Sequence, residues 1–122
     1  MKSILAVLAS LVLFSATVYV TAAPKPISIP ESGVCVVEFN ASFNSGNSVD
    51  WLDNLSDCKG KRIDIATDPS MQKKHKIVVV PTIIVFNEGE EIERFQANIM
   101  MQLEATEKDV QEVIDEILMS SF

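Results

Sequence analysis

Residues 77–89, "IVVVPTIIVFNEG", leave this chain the fewest ways to fold. The run from Ile77 to Phe86 is apolar and rich in β-branched side chains. It closes on Asn87-Glu88-Gly89, which is the pattern of a buried strand entering a turn. Pro81 breaks the run. A proline has no N–H to give to a sheet ladder, so at this position it marks a bulge, a cis bond or the first residue of a strand. A loop up to Pro81 and a strand over residues 82–86 accommodate it, and "EEIERFQA" then supplies the returning arm of a hairpin.

Such a strand needs cover on both faces, and the chain has enough residues for one core. With 122 residues, 48% of them hydrophobic, it makes a single domain. Seventeen acidic residues against ten basic ones give a net charge of −7, with no basic face for a phosphate backbone, which argues against nucleic acid as a partner. No low-complexity segment or internal repeat is visible.

The N-terminal residues read as a targeting segment. Lys2 is the only charge before Lys25, residues 4–14 are almost wholly apolar, and Val20-Thr21-Ala22-Ala23 offers small residues at the exit. Residues 1–22 are therefore read as a signal peptide cut after Ala22, which predicts a secreted or periplasmic protein. An uncleaved anchor over residues 4–23 is the alternative, since that uncharged run is about long enough to span a bilayer.

Residues 23–33, "APKPISIPESG", carry three prolines and read as an extended lead-in, either a tether or an edge strand. A strand follows over residues 34–39, with Cys35, Val37 and Phe39 on one face and Val36 and Glu38 on the other. Val49, Leu52 and Leu55 recur at helical spacing, which predicts a helix over residues 48–58, broken by Lys59-Gly60-Lys61. "RIDIAT" is the next strand. Asp68-Pro69 then opens a short helix, with Asp as its cap. Thr106 with Asp109 caps a last helix whose buried stripe is Val110, Val113, Ile114, Ile117 and Leu118. The order β, α, β, α, β, β, α predicts an α/β domain, a mixed sheet with helices on both faces.

Val80-Pro81-Thr82, followed by an apolar strand, a Gly turn and "EEIERFQA", resembles the cis-proline loop and terminal hairpin of the thioredoxin superfamily. Upstream, "TDPSMQKKHKI" is similar to that family's Asp/Asn-Pro helix, and "CVVEFNASFNSGN" resembles its central strand and active-site turn. The resemblance covers residues 33–98 and the C-terminal helix. It implies a thioredoxin-like three-layer fold over residues 34–122, with a cis-Pro loop at Pro81.

In the family, dithiol exchange uses Phe-Trp-Ala-x-Trp-Cys-x-x-Cys at a helix start, where the first thiol's pKa is lowered and the second thiol resolves the mixed disulfide. Here the matching residues are Phe39-Asn40-Ala41-Ser42-Phe43-Asn44-Ser45-Gly46-Asn47, so Asn44 and Asn47 stand in the cysteine positions. An amide forms neither a thiolate nor a disulfide, and no catalytic residue remains in this degenerate turn. The resemblance further implies a buried ion pair of Glu38 with Arg62. It also implies a peptide-binding groove made by Phe43, Val80, Pro81, Thr82 and the turn, in which an extended chain pairs with backbone groups.

Two cysteines in an exported chain suggest a disulfide between Cys35 and Cys58. Strand parity opposes it, because Cys35 shares a face with Phe39 while the helix ending at Cys58 should cover the face of Glu38. Two free, packed thiols are the alternative. Neither cysteine lies in a C-x-x-C, so no zinc site is implied, and nothing points to another metal or to a cofactor. His75 is the only histidine and reads as a surface or packing residue. Lys73, Lys74 and Lys76 solvate its helix, and Ser45 has no base placed to activate it. Asn40-Ala41-Ser42 and Asn54-Leu55-Ser56 match the glycosylation acceptor pattern, the first at a strand end and the second inside the predicted helix.

Residues 98–105, "NIMMQLEA", form an insertion before the last helix, too apolar for a free loop, which either packs as core or covers a surface. The reading that follows is an exported, non-catalytic module that binds a protein or an extended peptide, with a membrane involved only if the leader stays attached. One alternative is a thiol oxidoreductase using Cys35 and Cys58. The other is an accessory subunit docking through residues 98–105.

Overall fold

The computed structural model describes residues 28–121. The leader, its cleavage and the alternative anchor over residues 4–23 lie outside them. Among the described residues four strands form: β1 (Val34–Asn40), β2 (Lys59–Asp64), β3 (Thr82–Asn87) and β4 (Glu90–Gln96). The α-helices among the described residues are α1 (Pro69–Lys74) and α2 (Glu107–Ser120). The strands lie in the order β2-β1-β3-β4. β1 runs parallel to β2 and antiparallel to β3, and β3 and β4 pair as a hairpin.

Alternation along β1 divides the core in two. Cys35, Val37 and Phe39 pack with Ile63, Met71, Ile77, Ile84 and Phe86 on one side of the sheet. Val34 and Val36 pack with Leu52, Ile83, Val85 and the α2 residues Val110, Ile114 and Ile117 on the other. Met71 of α1 covers the first face and the α2 stripe covers the second, so the layers are helix, mixed sheet, helix, the α/β architecture expected. Val113 and Leu118 complete the stripe from half-buried positions.

The helix caps follow the sequence signals. Asp68 accepts from the Met71 amide, with Pro69 at the first helical position. Thr106 and Asp109 form a reciprocal capping box at α2. The β3–β4 connection is the two-residue turn Glu88-Gly89, with φ of 52° and 79°. Both φ values are positive, as the right-handed twist of a tight hairpin demands, and Gly89 adopts its value without a Cβ penalty.

Two local expectations are corrected. No helix forms over residues 48–58. The stretch after β1 contains only two short 3-10 turns, Ser42–Asn47 and Leu52–Asn54. The segment "NSGNSVDWLDNLSD" is dense in Asn, Ser and Asp, whose side chains compete for backbone groups. In addition, both backbone groups of Val49 are taken by side chains, its N–H by Glu38 and its C=O by Arg62. Secondly, Lys59-Gly60-Lys61 does not end an element but starts β2, because Cys35, Val36 and Val37 offer it a parallel register. Of the two forms open to the lead-in, a tether or an edge strand, residues 28–33 make no strand. Ile29 packs on the core and the Ser28 carbonyl accepts from Lys61 Nζ at 3.2 Å.

Candidate functional site

The end of β1, the 3-10 turn Ser42–Asn47, the loop before β3 and the insertion meet at one edge of the domain. Asn44, in the position the resemblance gives to the attacking cysteine, is buried at their junction. Its Nδ2 donates to Asn40 Oδ1 at 3.2 Å, to the Val80 carbonyl at 3.4 Å and to the Met101 carbonyl at 3.2 Å. Asn47, in the resolving position, donates to Asn44 Oδ1 at 2.9 Å. Asn40 answers from β1, donating to the Asn44 carbonyl at 3.2 Å and to Ser48 Oγ at 2.8 Å. Three carboxamides therefore tie turn, cis-Pro loop and insertion together where exchange chemistry would need a free thiolate. Each of the buried acceptors would be costly to leave unpaired.

Val80–Pro81 is a cis peptide bond, and Thr82 Oγ1 donates to the Val79 carbonyl at 2.7 Å. Val80, Pro81 and Thr82 are all buried. Beside them opens an apolar groove of about 420 Å³, walled by Ala41, Phe43, Ile65, Ile77, Val78, Val80, Ile99 and Met101, with Gln72 and Asn98 as its polar members. Its lips are unusually apolar for a surface, with Phe43 76%, Val78 77%, Ile99 98% and Met101 40% exposed. Of the four residues named for a peptide groove, Phe43 and Val80 line this cavity, while Pro81 and Thr82 are not among its walls.

The insertion's part in this arrangement was not legible in its residues. Its turn folds back on itself, Asn98 accepting on Oδ1 from the amides of Met100 and Gln102, with Met101 at φ 58°. Leu103 packs against the core, while Ile99 and Met100 face outward. The only sequence signal was an excess of apolar residues, which fits both fates.

Glu38 is 1% exposed and Arg62 Nη1 donates to its Oε1. Its other oxygen accepts from the Val49 amide at 2.8 Å, and Arg62 Nη2 donates to the Val49 carbonyl at 2.9 Å. Every oxygen of this carboxylate has a partner, so the pair anchors the loop after β1.

Cys35 and Cys58 are not joined, which corrects the proposed disulfide. They belong to core clusters on opposite faces of the sheet, as their parity requires. Burial pushes both thiols up. Lys61 and Lys59 partly oppose the shift at Cys35, whereas Cys35 and Asp57 reinforce it at Cys58. Neither thiol has the lowered pKa of an exchange nucleophile.

His75 packs between Phe39 and Phe86, with ring centroids 5.4 and 5.5 Å away. Of the two glycosylation patterns, Asn40 is buried and fully engaged, and Asn54 lies in an exposed 3-10 turn rather than in a helix. No group of three metal-ligating side chains converges among the described residues. Nor does any helix among them have the length and apolarity to cross a membrane.

No protein-family model matches the sequence, and no curated protein does. Solved structures do. A point mutant of the thioredoxin from Halobacterium salinarum NRC-1 is 20% identical, with a TM-score of 0.56 over 79% of this chain and 94% of that one. The reduced Schistosoma mansoni thioredoxin pre-protein is 20% identical, with a TM-score of 0.57 over 70% of this chain and 80% of that one. A designed protein is 21% identical, with a TM-score of 0.56 over 78% of this chain and 99% of that one. At such identities the likeness is one of fold.

Proposed function

From a thioredoxin-like fold with amides in both exchange positions, we propose that this chain is an exported, non-catalytic module that binds an extended segment of another protein. One observation carries the reading: the buried amide of Asn44 occupies the nucleophile's place, while the apolar groove beside it stays open. Backbone pairing and side-chain burial in such a groove require no thiol. The oxidoreductase alternative loses ground, because Cys35 and Cys58 lie on opposite faces and burial disfavours both thiolates.

Export rests on the leader sequence. Mass spectrometry of the exported chain tests it, and a start at Ala23 is the expected result. For binding, the purified chain is screened against a displayed library of extended peptides, and selected sequences are titrated against Phe43→Ser and Ile99→Ser variants. Both side chains are exposed, so the variants keep the fold, and each is expected to weaken binding at least tenfold. Peptide affinities unchanged in both variants would refute the groove. In an insulin-type reduction assay the wild type is expected to add nothing to the rate with dithiothreitol alone.

A second reading is favoured by the insertion. Ile99 and Met100 project from residues 98–105 into solvent, as a docking surface for a larger partner requires. Removing residues 98–105 should release the partner under either reading, because Ile99 and Met101 also wall the groove, so Phe43→Ser decides: it leaves a docked partner bound and weakens binding of a groove peptide.

A further inference from the structure

We propose, building on the groove reading, that the occupant is an extended segment that follows a large apolar anchor with acidic residues, and that Lys73 and Lys76 read those acids. The chain carries 17 acidic and 10 basic residues, yet Lys73, Lys74 and Lys76 fall within four positions at the end of α1. That end abuts the groove. Gln72 lines the groove and donates from Nε2 to the Ile77 carbonyl at 3.4 Å, while the Ile77 amide donates to the Gln72 carbonyl at 2.9 Å. The chain thereby folds directly from the helix into the groove wall Ile77-Val78. The Lys76 amide bonds the Lys73 carbonyl at 3.3 Å, which sets these two residues on adjacent turns of one corner.

These lysines are not used internally. Arg62 and Arg94 each pair with a carboxylate, whereas Lys73, Lys74 and Lys76 form no ion pair among the described residues. Two acids close in the chain to the lining residues Ile65 and Ala66 already accept local hydrogen bonds. Asp64 Oδ1 accepts from the Ala66 amide at 2.9 Å, and Asp68 Oδ1 accepts from Ser70 Oγ at 2.6 Å and from the Met71 amide. The groove is therefore lined almost wholly by apolar residues, and exposed lysines without an ion pair stand next in the chain to its lining residues Gln72 and Ile77. A ligand complementary to it places its anchor against Phe43, Val78 and Ile99 and its acids toward α1. Rim charges of this kind set register and choice of partner more than they set affinity.

The test is fluorescence anisotropy with the purified chain and three labelled nine-residue peptides. The first has a central Phe between two Val, followed by two Asp. The second carries Lys for both Asp, and the third carries Ser for the Phe. The Asp peptide is expected to bind about tenfold tighter than the Lys peptide at low salt, with the gap closing as salt rises. Lys73→Glu/Lys76→Glu should reverse the order, while Lys108→Glu, on α2, leaves it unchanged and so controls for net charge.

Equal binding of the Asp and Lys peptides, or no response to Lys73→Glu/Lys76→Glu, overturns the charge inference and leaves the groove standing. Equal binding of the Phe and Ser peptides, or no binding by any of them, removes the groove and the inference together. Concentration-dependent self-association of the chain, abolished by Lys73→Glu/Lys76→Glu, would overturn the inference by giving the lysines to a second copy, whose β4 bears Glu90, Glu91 and Glu93.

Discussion

Two segments converge on the groove, and they are held by different means. Residues 77–96 are fixed by burial and by sheet pairing, with β3 hydrogen-bonded on both sides and buried over most of its length. Residues 41–58 have no such frame. They hang on Leu52 with the half-buried Val49, Trp51 and Leu55, on the Glu38–Arg62 clamp around Val49, on the hydrogen bonds between Ser56 and Gln111, and on the amide cluster of Asn40, Asn44 and Asn47. A central strand is specified many times over. A loop held by a few polar anchors is specified once at each, so removing an anchor should loosen that loop without melting the sheet.

The largest effect is therefore expected in the paired half. Ile84→Ala deletes a fully buried side chain from β3 and should cost about 2–5 kcal/mol, read from urea unfolding. Amide protection should fall together across β1, β3 and β4. A smaller loss for Ile84→Ala than for any polar anchor would break the contrast.

Next comes Glu38→Ala. It strips the acceptor from the Val49 amide and leaves Arg62 without its carboxylate. A buried donor without a partner costs about 1–3 kcal/mol. Hydrogen exchange should accelerate over residues 48–58 while β3 and β4 stay protected. Glu38→Gln keeps an acceptor for Val49 and should lie between variant and wild type.

Asn44→Ala is smaller again, about 1–2 kcal/mol, because its Nδ2 contacts are long and shared among three acceptors. Its signature is regional. Exchange should rise in the turn after β1 and in the insertion at once, since this one side chain bonds Asn40 and Met101. If only one of the two responds, the cluster is not the tie described.

The same contrast governs what could be read from the sequence. Strand β3, the hairpin turn, the caps at Asp68 and Thr106 and the α2 stripe follow from local pattern and turn chemistry, and the structure contains them all. The stretch after β1 carried apolar residues three apart at Val49, Leu52 and Leu55, a spacing compatible with a helix, yet it forms no α-helix. Those residues still pack on the core, as the spacing implied, but through turns. Periodicity reported which side chains are buried. The backbone was decided by Glu38 and Arg62, remote in sequence from Val49 and indistinguishable there from any other ion pair. The insertion failed for the same reason, since the carbonyl that joins it to Asn44 belongs to Met101 and carries no side-chain signal.

The smallest prediction concerns pH and separates the two halves without a deletion. His75 Nε2 is buried with no hydrogen-bond partner. Burial pushes its pKa below the ordinary value of about 6.5, Lys74 and Arg94 push it lower, and Glu91 partly opposes them. The folded state thus binds fewer protons than the unfolded one. The stabilisation from a neutral His75 is complete above about pH 6.5 and drains away as pH falls toward the lowered value. Glu91, held down chiefly by its hydrogen bond from Arg94, loses its own contribution only in the carboxylate range, so a series from about pH 8 to 5.5 isolates the histidine. The urea midpoint should decline gently over that series, and His75→Phe should flatten the slope. Because His75 touches Phe39 of β1 and Phe86 of β3, acid should lower amide protection in those strands and leave residues 48–58 unchanged. A decline of equal size in the loop would mean that the two segments share one support rather than two.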